Sequence, residues 1–127
     1  MNANEYQTLA EVTESKDFEA IGKRMSTIRS IRLLHAQLGI SSECGEVADA
    51  LKKHIFYGKE LDVVNVAEEI GDICWYLALA CNELGMAFEQ DILEVNIAKL
   101  KARYGDKFSE HAAMHRDLNK ERAILEG

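Results

Sequence analysis

The sequence predicts an all-α protein: an antiparallel helical bundle with a four-helix core, peripheral N- and C-terminal helices, and assembly through an apolar central helix. Three observations carry this. The 127 residues include no proline and only 8 glycines, which leaves long helices uninterrupted and gives few sites for tight β-turns. Apolar residues recur at three- and four-residue spacing along most of the chain. One segment, Val63 to Leu84, is apolar on nearly every side, as a helix covered from several directions would be. The length suits a single domain, residues 1–127.

In chain order, Asn4 to Glu14 predicts a short first helix with Tyr6, Leu9 and Ala10 near one face. Ser15 to Ser30 predicts a second, since Phe18, Ile21, Met25 and Ile28 keep helical spacing although Gly22 and the Ser-Thr pair weaken it. From Ile31 to Tyr57, Ile31, Leu34, Leu38, Val47, Leu51 and Ile55 mark an amphipathic helix, loosened near Gly39. Gly58 suits a helix end, and Asp62 can cap the helix Val63 to Leu84. A connection this short makes the two helices antiparallel neighbours. The surplus apolar surface of the second predicts contact with another subunit. A fourth helix, Glu89 to Tyr104, carries Ile92, Leu93, Ile97 and Leu100 on one side and Asn96, Lys99 and Arg103 on another. Ser109 then caps a polar, peripheral last helix running to Leu125.

Composition narrows the function. With 47% apolar and 29% charged residues the chain is neither disordered nor membrane-like. It shows no basic region followed by an apolar signal core, so a cytoplasmic location is expected. Three cysteines without a Cys-x-x-Cys pattern read as buried thiols rather than a disulfide framework. A net charge of −7 disfavours nucleic acid and membrane surfaces, and an anionic ligand on such a protein calls for bridging cations.

The chemistry concentrates between Glu43 and Asp72. Glu43 and Glu46 stand three residues apart on one helix, and Glu69 and Asp72 repeat the spacing on the next, so each pair projects from one face. Counting from the turn, Glu46 and Asp72 are each 11 residues away, at Tyr57 and Leu61, and are expected at equal depth. Four facing carboxylates repel unless cations compensate, and Mg²⁺ held by carboxylates and shared with substrate phosphates fits, with Mn²⁺ as a substitute. The plainer reading is a solvated face paired to Lys or Arg at i+4, but Glu46 has Ala50 there and Asp72 has Tyr76. Lys52 and Lys53 suit phosphate or simply a solvated helix end. Asn96 and Lys99 suit a sugar or phosphate oxygen. His35 reads equally as a base-stacking residue or a packed one, Trp75 rather as packing. His111 and His115, at i and i+4, lack a third ligand and read as surface residues rather than a metal pair.

Together these residues resemble the MazG-like branch of the all-α nucleoside triphosphate pyrophosphohydrolases. The resemblance rests on Glu43-Cys44-Gly45-Glu46, Glu69-x-x-Asp72, Trp75-Tyr76, Asn96-x-x-Lys99 and Arg103 to Phe108, and covers about residues 33–108. It implies that Glu43, Glu46, Glu69 and Asp72 hold Mg²⁺. On chemical grounds Glu43 or Glu46 is then a candidate to take a proton from the attacking water, and Glu68 reads either as an outer-shell group or, being beside a helix start, as a solvated residue. The resemblance implies further that Asn96 and Lys99 contact the triphosphate and sugar, with Tyr76, Arg103 and Tyr104 on the substrate side. The implied reaction converts a nucleoside triphosphate to the monophosphate and pyrophosphate, in a homodimer or homotetramer. Phosphoribosyl-ATP hydrolysis ranks below it, as does a non-catalytic helical interaction module. A di-iron bundle would need Glu-x-x-His pairs, which are missing.

Overall fold

The computed structural model describes residues 1–127 and is all-α, with no strand. The helices are α1 (Ala3–Val12), α2 (Phe18–Met25), α3 (Ile28–Tyr57), α4 (Val63–Leu84), α5 (Val95–Tyr104), α6 (Glu110–Met114) and α7 (Leu118–Glu126), with a π-helical segment Phe88–Glu94 leading into α5. No helix is long and apolar enough to cross a membrane.

Local capping explains the boundaries. Thr27 accepts a hydrogen bond from the Ser30 amide at 3.1 Å and starts α3, so the predicted second helix stops at Met25 and α3 begins earlier than Ile31. Asp62 caps α4 through the Asn65 amide at 3.0 Å, and Gly58 and Gly85 end α3 and α4 in the left-handed region that disfavours other residues. α3 runs through Gly39 without a break. The predicted last helix is two helices. Ser109 caps α6 as expected, but Asp117 caps a separate α7 through the Lys120 amide at 3.0 Å, and the backbone leaves helical geometry at His115.

The hairpin α3–α4 is the packed heart of the chain, while α5 packs on α7, α6 and the π-helical segment. Packing between these two groups is sparse. Of the expected four-helix core, one chain by itself therefore closes only the hairpin. Ala36, Gly39, Cys81 and Glu121 are the buried residues. On the outward side of α4, Val64 is 79% exposed and Trp75 56% exposed, so the all-round apolar character of this helix is not covered within the chain. Two cysteine expectations also change: Cys44 and Cys74 lie on the outer faces of the hairpin and are exposed, and Cys81 alone is buried.

The register of the hairpin follows from three cross-helix pairings. Arg32 pairs with Glu83 at 2.9 Å, Gly39 lies against the ring of Tyr76, and Glu43 approaches Asp72. Seven residues along α3 match seven back along α4, and four more on each complete the series. Three further residues put Glu46 level with Glu69. The expected level pairing of Glu46 with Asp72 is thus off by three residues. The cause is the turn: the Lys59 amide bonds back to the Lys53 carbonyl at 3.2 Å, and His54 Nδ1 donates to the Lys59 carbonyl at 2.8 Å. The connection folds back along the end of α3 instead of bridging straight across, so α3 overhangs α4.

Candidate metal centre

One carboxylate oxygen from each of Glu43, Glu69 and Asp72 lies within 4.8 Å of the others. Glu43 comes from α3 and the other two from α4, so the cluster exists only because the hairpin is packed in this register. Glu43 and Glu69 are half-buried and Asp72 is exposed, which leaves the group open on one side. Partial burial pushes the Glu43 carboxyl above its ordinary value, a hydrogen bond with Glu69 adds to this, and the charges of Glu69, Asp72 and Glu46 act in the same direction. An all-oxygen set of converging carboxylates whose charges disfavour one another fits a hard divalent cation such as Mg²⁺ or Mn²⁺. Glu46, one turn along α3, stands outside the three.

Asn65 was missed from the sequence. Its side-chain amide donates to Glu69 Oε1 at 2.8 Å and aims that carboxylate. The available signal was its position one helical turn before Glu69, in a stretch where Asn lowers helix propensity. Glu68, on the other hand, is exposed and has no hydrogen bond to the cluster.

Above the cluster stands an aromatic group. Tyr76 sits edge-on to His35, with centroids 5.7 Å apart, and to Trp75, at 4.9 Å. Tyr76 lies one turn beyond Asp72, and His35 two turns before Glu43. The side chains of His35 and Trp75 are exposed enough to meet a ligand or another protein surface.

The other sequence candidates are not gathered to this point. Lys52 and Lys53 both bind Asp49, whose carboxyl is drawn down to about 2 by hydrogen bonds from the two lysines. Asn96 and Lys99 lie on α5, which packs sparsely on the hairpin. Arg103 is committed elsewhere: its Nε and Nη2 form a fork on Glu121 of α7, at 2.7 Å and 2.5 Å. Arg116 Nη2 donates to the same carboxylate at 2.7 Å. Tyr104 stacks at a tilt on Phe108, with centroids 5.4 Å apart, and lies beneath the Arg103 guanidinium. The C-terminal helix is therefore not peripheral in its role, because its buried Glu121 holds α5 in place. His111 and His115 stack with centroids 4.2 Å apart, and His115 Nδ1 is engaged with the His111 carbonyl, so neither joins a carboxylate cluster.

Over residues 33–108 the chain matches a family model described as the MazG nucleotide pyrophosphohydrolase domain. Neither a curated protein nor a solved structure matches it.

Proposed function

The chain belongs to the MazG nucleotide pyrophosphohydrolase family, and from that premise we propose that it is a Mg²⁺-dependent enzyme of the cytoplasm that hydrolyses nucleoside triphosphates between the α- and β-phosphates, giving the monophosphate and pyrophosphate. The observation that supports this most directly is the convergence of Glu43, Glu69 and Asp72 within 4.8 Å at the centre of the hairpin. Members of the family are generally dependent on divalent metals.

Glu43, Glu69 and Asp72 would hold such a cation, and the Asn65 amide fixes the orientation of the Glu69 carboxylate. When bound, the cation supplies electrostatic stabilisation of the phosphoryl oxygens and a water of lowered pKa. Glu46, near Glu43 and outside the three, would be the carboxylate to take up a proton from an attacking water. The aromatic group of His35, Trp75 and Tyr76 offers faces on which a base can stack. Asn96 and Lys99 on α5 would provide the phosphate and sugar contacts, whereas Lys52 and Lys53 are engaged by Asp49.

Two features call for a homodimer or homotetramer. The outward faces of α3 and α4 leave Leu38, Ile70 and Trp75 each more than half exposed. The substrate side on α5 is also only sparsely packed on the hairpin of its own chain. A second copy covering the hairpin would bury the first and can bring the second to the cluster. Light scattering on the purified protein is expected to give at least twice the mass of one chain, and a monomer at micromolar concentration would contradict this.

The reaction is tested by incubating the protein with a panel of nucleoside triphosphates and Mg²⁺. Pyrophosphate is the expected product. Orthophosphate in its place, or no turnover across the panel, would overturn the reading.

A further inference from the structure

Gly39 and Tyr76 stand out once the register of the hairpin is known. A Cβ added to Gly39 would lie 2.2 Å from both Cε1 and Cζ of Tyr76 and 2.4 Å from Cδ1. Ordinary carbon contacts lie at about 3.5–4.0 Å, so the ring rests on the bare α-carbon and the methyl of alanine would displace it by roughly 1.3–1.8 Å. His35 and Trp75 meet the ring edge-on from two directions, so a displaced ring would disturb both. Ala36 and Gly39, at i and i+3, are also the two buried positions of α3, so the helix is most fully covered here.

This contact lies one helical turn from the carboxylates on both helices. Gly39 precedes Glu43 by four residues, and Tyr76 follows Asp72 by four. A cation bridging α3 and α4 needs their carboxylates at a fixed separation, and metal–oxygen distances tolerate only about ±0.2 Å. Mg²⁺ in particular demands near-ideal geometry. Helix separation is set by the side chains at the contact, over a range of about 8–10 Å. At this level the contact is an aromatic ring against no side chain at all.

We propose that Gly39 is a positioning residue: its missing side chain admits the Tyr76 ring and so fixes the spacing between α3 and α4 at which Glu43, Glu69 and Asp72 share one divalent cation. This rests on the cluster being a cation site, as proposed above. It also explains a glycine in mid-helix, where alanine would be favoured by helix propensity alone.

The test is Mn²⁺ binding by electron paramagnetic resonance, with no nucleotide present, on wild type, Gly39→Ala, Gly45→Ala and the double variant Gly39→Ala/Tyr76→Val. Thermal melts recorded alongside set a temperature at which each variant is folded. Gly45 is the comparison because a Cβ there meets nothing within 4 Å, although it lies only two residues from Glu43. Gly39→Ala is expected to weaken Mn²⁺ at least tenfold, Gly45→Ala to stay within twofold of wild type, and the double variant to recover most of the loss. If Gly39→Ala fails to fold, recovery of both folding and Mn²⁺ binding in the double variant supports the proposal, and recovery of folding without binding overturns it. Wild-type affinity in folded Gly39→Ala, or equal losses in both alanine variants, also overturns it. Wild type that binds no Mn²⁺ would overturn the cation site itself.

Discussion

Asp72→Asn and Glu69→Gln are each expected to lower kcat/KM for a nucleoside triphosphate by about a thousandfold, the scale of several kcal/mol of charge stabilisation lost with the cation. The helical circular-dichroism spectrum should be unchanged. Both replacements keep the shape of the side chain, and Gln at position 69 can still accept the hydrogen bond from Asn65. What disappears is one negative charge from a group of three within 4.8 Å. Because those charges disfavour one another in the absence of metal, the metal-free variants are expected to melt at or above the wild-type temperature. This sign separates a site from a structural ion pair, whose loss would lower the melting temperature. Glu46→Gln provides a contrast: turnover should fall while Mn²⁺ binding is largely kept, since Glu46 stands outside the three. Near-wild-type pyrophosphate release by Asp72→Asn would refute the assignment.

A second large effect is expected at the far end of the chain. Glu121 is 5% exposed and accepts from both Arg103 and Arg116, which hold its carboxyl at about 2, well below the ordinary 4.5. A carboxylate whose folded pKa is depressed contributes stability that is fully present above about pH 4.5 and is lost as the pH falls towards 2. Glu121→Gln should therefore melt several degrees below wild type at pH 7, with the gap closing on acidification through that window. Removing one member of such a network leaves the half-buried Arg103 fork uncompensated, so the loss should exceed that of an exposed pair such as Lys23 with Glu19. Since Arg103 lies one turn beyond Lys99 and two beyond Asn96, loosening it should also raise KM for nucleotide more than it lowers kcat. A melting difference that does not change between pH 7 and pH 3 would count against the network.

What could be read from the sequence was what local interactions decide. The bounds of α4, the end of α3 at Tyr57 and the caps at Asp62 and Ser109 all follow from residues within one turn of the feature they control. The pairing of Glu69 with Asp72 was legible for the same reason, since spacing on one helix fixes a shared face, whereas the same spacing left Glu46 outside the cluster that Glu43 joins. The register between the two helices was not legible. It depends on the fold-back at Lys59 and on the Gly39–Tyr76 contact, and both are tertiary. The same holds for Arg103. Its partner lies 18 residues away on α7, so a guanidinium that could suit a phosphate is taken up by a buried carboxylate.

The overhang of α3 bears on how this chain tolerates change. The connection from Gly58 to Asp62 doubles back on α3, while further along the hairpin the two helices are aligned by Arg32 with Glu83 and Gly39 with Tyr76. Lys59 is tied to the end of α3 through both its amide and its carbonyl, so only the residues after it are free of the turn that sets the register. Extra residues at Glu60 would lengthen a surface excursion at a slowly growing entropic cost, and that point of the hairpin tip is accordingly a place to graft a tag, a probe or a recognition sequence.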